Sequence, residues 1–81
     1  MSYFVYILKC NDDTLYTGIA KDVDRRINEH NTSEKGAKYT KARRPVQLVY
    51  KENSVDRSSA SKREYEIKKL SRDKKLDLMN V

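Results

Sequence analysis

Residues 3–10, Tyr-Phe-Val-Tyr-Ile-Leu-Lys-Cys, are largely β-branched or aromatic and show no helical period. A polar triplet, Asn11, Asp12 and Asp13, interrupts them, and residues 14–19, Thr-Leu-Tyr-Thr-Gly-Ile, resume the same character. The pattern predicts a β-hairpin. Asp22 can accept from the free N–H groups of a following first turn, Val23 and Ile27 recur four apart, and Asn31 offers a stop, so residues 23–30 read as a short helix. Residues 31–37 form a polar loop, and residues 38–44 hold one helical turn before Pro45 ends it by restricting its predecessor. Residues 46–50, Val-Gln-Leu-Val-Tyr, predict a third strand. Ser54 or Asp56 then opens a long helix to about Ser71, with Ala60, Ile67 and Leu70 as its apolar stripe. Residues 74–79, with Leu76 and Met79 three apart, extend or follow it. The order ββαβα implies an α+β fold, a three-stranded, mostly antiparallel sheet flanked by helices, with short extra helices allowed.

Length and charge narrow this picture. A chain of 81 residues is expected to be one domain, residues 1–81, with a thin core. Cys10 is the only cysteine, so neither an internal disulfide nor a cysteine-based metal site can form, which suits a reducing compartment. Eighteen Lys and Arg against 12 Asp and Glu give a net charge of +6, a field that attracts polyanions and makes nucleic acid the expected partner. A membrane surface is disfavoured because no helix sets a large apolar face against its lysines. The apolar N-terminal run is too short for a secretory signal, and the expected location is the cytoplasm.

The chemistry lies in the aromatic and charged residues. Six tyrosines stand against one Phe and no Trp. Any one of them can be an ordinary strand residue at the edge of a small core. Tyr6 and Tyr16 differ because both fall in the hairpin, and Gly18 follows Tyr16 on the same strand face, leaving room for a ligand's backbone. Arg26 and His30 are four apart on one helix face, where they could give two hydrogen bonds to one phosphate if His30 is protonated, a state the helix C-terminus favours. The alternative makes both solvated surface residues, as is preferred for Arg25. Five of residues 35–44 are basic, and Lys35, Lys38, Lys41, Arg43 and Arg44, with Tyr39 among them, suit a surface of cations for phosphates and one ring for stacking, or else a plain solvated loop. Lys68, Lys69, Arg72, Lys74 and Lys75 would widen that electrostatic footprint. No recognition helix, zinc finger or nucleotide-binding glycine loop is visible, so sequence specificity should be weak.

Phe4-Val5-Tyr6, then Tyr16-Thr17-Gly18 about ten residues on, then Arg26 and His30, resemble the pattern of the GIY-YIG nucleases, over nearly the whole chain. Of the six letters of the family name Tyr6, Tyr16 and Gly18 are kept, while Phe4, Val5 and Thr17 stand at the other three, with Phe4 and Thr17 at framework positions. The chain is most similar to the small stand-alone bacterial members. The resemblance implies a metal-dependent phosphodiesterase acting on DNA, with Mg²⁺ or Mn²⁺ held by one catalytic carboxylate on the long helix, best matched by Glu64. It also implies Tyr6 as general base and Tyr16 as its hydrogen-bonding partner, in roles that could be exchanged. Asn80 is given no role.

Phosphodiester cleavage needs an activated water, cations on the phosphoryl oxygens and help for the leaving alkoxide. Glu64 follows Ala60 by four and precedes Ile67 by three, beside the apolar stripe, where an unpaired carboxylate is costly and a metal would relieve it. A salt bridge to Arg26 or a nearby lysine would serve as well, and Glu66 is the rival carboxylate. One histidine without partners is a poor transition-metal site, and a hard ion prefers oxygen. An unperturbed phenol is almost wholly protonated at neutral pH, so a tyrosine base needs about 3 units of lowering, roughly 4 kcal/mol, to which Arg26 and Lys9 could contribute. If Tyr6 and Tyr16 act together they must share a face of the hairpin, which requires an even register sum and a three- or five-residue loop or a bulge near residues 11–14. Besides a nuclease, the sequence admits a nucleic-acid-binding module that cuts poorly or only with a protein partner for targeting, and more distantly a protein-binding domain.

Overall fold

The computed structural model describes residues 2–32 and 36–79, so Lys35 and Asn80 lie outside it. Its elements run β1 (Tyr3–Lys9), β2 (Leu15–Ala20), α1 (Val23–Thr32), α2 (Lys38–Lys41), β3 (Gln47–Ser54), α3 (Arg57–Lys69) and α4 (Arg72–Met79). The strands form one antiparallel sheet in the order β2-β1-β3. The longest apolar run therefore takes the centre. Val5, Tyr6, Ile7 and Leu8 are all buried because helices cover both faces of β1. Tyr6 and Leu8 pack with Val23, Ile27 and Val46 on the α1 side, while Val5 and Ile7 pack with Ala60, Ile67, Leu78 and Met79 on the side of α3 and α4. Each such side chain contributes roughly 2 kcal/mol by leaving water. No helix among the described residues is long and apolar enough to cross a membrane.

The hairpin has the even register that a shared face requires. Tyr6 lies opposite Gly18 and Leu8 opposite Tyr16. Cys10 and Thr14 close a three-residue loop with a 2.9 Å bond from the Cys10 N–H to the Thr14 carbonyl, and the Asp13 N–H reaches the Cys10 carbonyl at 3.0 Å. Asp13 takes the left-handed conformation at φ 67°, the position a three-residue loop needs and one that Asp tolerates.

Four boundaries differ from those read in the sequence. Asn31 does not stop α1. The helix continues to Thr32, and the Asn31 amide imitates a strand partner, receiving the Val46 N–H at 2.7 Å and donating to the Val46 carbonyl at 3.1 Å. β3 starts after that clasp and runs to Ser54, beyond its apolar stretch, because the polar residues 51–54 still find partners along the first half of β1. It absorbs one extra residue, Val49, where the pairing steps from Ile7–Tyr50 to Leu8–Leu48. The long helix is two helices. Asp56 caps α3 by accepting the Ser59 N–H at 2.7 Å, and Leu70 turns extended (φ −68°, ψ 147°), which removes it from the α3 stripe. Ser71 then takes the Lys74 N–H on its hydroxyl and starts α4, whose Leu78 and Met79 fold back onto the sheet.

Candidate active site

The site is centred on Tyr6, whose ring lies over Gly18. A Cβ built on Gly18 would stand 2.6 Å from the Tyr6 hydroxyl oxygen and 2.7 Å from Cζ. The space foreseen for a ligand above Gly18 is thus filled by the Tyr6 phenol, and the glycine is needed so that the ring can lie down on β2. Tyr6 is 1% exposed, and its Oη is 2.9 Å from His30 Nε2. The Arg26 charge also acts on this oxygen. Burial, together with Tyr16 alongside, pushes the Tyr6 pKa up to about 12 against the opposing pull of Arg26. This corrects the expected lowering. The desolvation of a phenolate outweighs one neighbouring guanidinium.

His30 is corrected as well. It is not a cationic phosphate ligand on a solvated face but a fully buried side chain, 0% exposed, held at both ring nitrogens. Beyond Tyr6 it meets Thr40 Oγ1 at 2.9 Å and the Ala37 N–H at 3.2 Å, both at Nδ1. Burial, with the Arg26 charge second, lowers its pKa to about 4, so the ring is neutral at pH 7 despite its place near the end of α1. Both nitrogens being engaged, His30 is not a metal ligand.

Tyr16, half-buried, stands edge-on to His30 with centroids 5.3 Å apart and lies nearly parallel to Tyr39 at 5.9 Å. The Tyr39 ring is 37% exposed, yet the Arg43 guanidinium sits over it at 3.9 Å, so it is already stacked within the chain rather than waiting for a base. Arg43 is fixed in turn by Asp12 at 3.0 Å and by the Tyr39 carbonyl. Arg44 donates to the His30 and Glu29 carbonyls at the end of α1. Two of the cations assigned to phosphates thus staple the hairpin loop and α1 to the segment around α2. Lys38 and Lys41 are the exposed basic residues of that stretch among those described.

Glu64 stands on α3. Its charge acts on Tyr6, and its side chain, 24% exposed, pairs with Lys68 at 3.5 Å, the neighbouring-lysine bridge that the sequence left open. Glu66 points elsewhere, 64% exposed and 3.4 Å from Arg63, and is set aside as the rival. Among the described residues no three His, Cys, Asp or Glu side chains gather as a metal cage. A single half-buried carboxylate fits Mg²⁺ or Mn²⁺ nonetheless, because such an ion keeps waters and takes phosphate oxygens for its remaining positions.

Two participants were missed. Glu29 holds Arg26 at 2.9 Å and, with Tyr6, raises the Arg26 pKa against the effect of burial. Its spacing three residues from Arg26 was the available signal. Thr40, 0% exposed beneath His30, carried none, since a threonine in a basic polar stretch reads as surface.

The family model described as GIY-YIG catalytic domain matches residues 2–77. The chain belongs to the GIY-YIG family. A UPF0213 protein of Desulfotalea psychrophila is 60% identical over 80 residues, covering 99% of this chain and 73% of the relative. A UPF0213 protein of Staphylococcus saprophyticus is 59% identical over 78 residues, covering 96% and 94%. The solution NMR structure of a UPF0213 protein from Bacillus halodurans superposes with a TM-score of 0.62 at 49% identity, covering 99% of this chain and 84% of that one. The GIY-YIG domain is nuclease-like, and the two hairpin tyrosines, Gly18 and His30 fall together in this structure, with the Arg26 charge acting on Tyr6.

Proposed function

We propose that this GIY-YIG domain hydrolyses phosphodiester bonds in DNA, using Mg²⁺ or Mn²⁺ held by Glu64. The supporting observation is the set of groups around one phenol oxygen. Tyr6 Oη has His30 Nε2 at 2.9 Å, and the charges of the Arg26 guanidinium and the Glu64 carboxylate both act on it. Positive charge beside a phenol oxygen favours its deprotonated form, so Arg26 favours a phenolate although burial disfavours one in the free protein. At neutral pH the gap from a pKa of about 12 corresponds to roughly 7 kcal/mol, which binding of the charged reactants must supply for Tyr6 to act as base. A divalent ion at Glu64 would supply positive charge to the phosphoryl oxygens and the leaving alkoxide. Arg26, partly exposed, would meet the phosphate. Tyr16 packs against His30 and Tyr39 and keeps the wall of the site in place. Lys38 and Lys41 extend the positive surface for the backbone.

The test compares wild type, Tyr6→Phe and Glu64→Ala on single-stranded and branched DNA with Mg²⁺, Mn²⁺ or EDTA. Metal-dependent cutting lost in both variants is expected, whereas equal cutting by all three proteins removes these residues from the chemistry. One observation favours a second reading, a nucleic-acid-binding module with little intrinsic cleavage. Tyr6 is sealed from solvent and protonated. Under that reading the wild type binds DNA in a salt-dependent way and cuts none under any metal condition.

A further inference from the structure

Two groups meet Nδ1 of His30, and they decide which of its nitrogens carries the proton. The Ala37 N–H points at Nδ1 from 3.2 Å, and a backbone N–H can only donate. A proton on Nδ1 would face it directly. The loop comes this close because residue 36 is glycine. A Cβ there would lie 2.7 Å from the Glu29 carbonyl oxygen and 2.8 Å from the His30 Cα. The Thr40 hydroxyl lies 2.9 Å from both Nδ1 and the Ala37 carbonyl oxygen, but that carbonyl already takes the Thr40 and Lys41 N–H groups at 3.1 Å each. With both lone pairs of that carbonyl taken, the hydroxyl proton is left for Nδ1, to which it stands nearer than the Ala37 N–H.

We propose that Thr40, with the Ala37 N–H, is a positioning residue that holds His30 as the neutral tautomer protonated on Nε2, so that the imidazole donates to Tyr6 instead of accepting its proton. The Tyr6 hydroxyl proton then points away from His30. His30 stabilises a phenolate without being the group that creates it, and taking the Tyr6 proton would require the cationic ring that burial suppresses. The functional consequence rests on reading Tyr6 as the reactive phenol, while the tautomer does not.

The chain has a single histidine, so long-range ¹⁵N–¹H NMR of the uniformly labelled protein near pH 7.5 shows one imidazole. The expected spectrum has Nε2 protonated and Nδ1 bare. Thr40→Ser should keep it, and Thr40→Val, which retains the volume and removes the donor, should shift the ratio toward Nδ1–H by about tenfold, the effect of one lost hydrogen bond. A wild type carrying its proton on Nδ1 overturns the proposal even if Thr40→Val does not fold, as does a serine variant that departs from wild type or a folded valine variant that does not. A protein that shows the Nε2–H ring and cuts no DNA keeps this assignment and loses the nuclease reading. One that cuts DNA with its proton on Nδ1 does the reverse.

Discussion

Acidification should unfold this protein largely through His30. The folded state keeps the ring neutral with a pKa of about 4, whereas the unfolded chain returns it to about 6.5. The unfolded state therefore binds the proton more readily below pH 6.5. The stabilisation from the neutral ring is fully present above that pH and is lost as pH falls through 4. Linkage between these values gives a loss of about 1.4 kcal/mol by pH 5.5 and about 2.5 kcal/mol by pH 4.5, a large share of the stability of so small a domain. Asp12, through its bond from Thr14, and Asp56, through its bonds from Ser59, also have lowered pKa values and act in the same direction at lower pH, so a control is needed. His30→Gln removes the titration and leaves both aspartates. Urea unfolding of the two proteins from pH 7.5 to 4.5 should show wild-type stability falling more steeply, by about 2.5 kcal/mol over the range. Parallel curves would mean that His30 titrates as it does in the unfolded chain, and the buried, neutral imidazole at the centre of the site would be refuted.

Three further outcomes follow from the same packing. Gly18→Ala should destabilise the fold by about 1–3 kcal/mol and displace the Tyr6 phenol from His30, since the new methyl would stand 2.6 Å from Oη; thermal unfolding with the His30 ring spectrum checks both, and an unchanged spectrum would contradict the close approach. Thr17→Val should be neutral or stabilising by up to about 1 kcal/mol, because the Thr17 hydroxyl is buried with no hydrogen-bond partner among the described residues; a clear loss of stability in urea unfolding would contradict this. If Tyr6 is the base, kcat/KM for DNA should rise by up to about tenfold per pH unit on the alkaline side of neutrality, where its phenolate fraction grows toward a pKa of about 12, and a flat profile between pH 7 and 9 would remove Tyr6 from that role.

Much of this was legible from periodicity and spacing. The unbroken apolar run of β1 placed it in the sheet, and the parity of Tyr6 and Tyr16 required a three- or five-residue loop or a bulge, of which the structure has the three-residue loop at residues 11–13. The boundaries that moved did so because of side chains acting at long range. Asn31 reads locally as a helix stop, and only Val46, 15 residues away, makes it a clasp. The same limit governs the site. Spacing could set Arg26 and His30 on one helix face but could not say that the α2 segment covers His30, because nothing in Lys38-Tyr39-Thr40-Lys41 marks Thr40 as the buried member. Burial then reversed the charge expected of His30 and the pKa shift expected of Tyr6. Arg43 and Arg44 show the converse. In a basic stretch they read as phosphate contacts, and tertiary structure turns them onto Asp12 and the end of α1.

The central claim is that the chain cuts DNA at the site formed by Tyr6, Arg26, His30 and Glu64. The most direct measurement follows binding and cleavage of one labelled branched DNA in the same Mg²⁺-containing samples of wild type and Tyr6→Phe. Similar binding by both proteins and product from wild type alone, abolished by EDTA, is expected. Tight, salt-dependent binding with no product from wild type, or equal product from both, would contradict it.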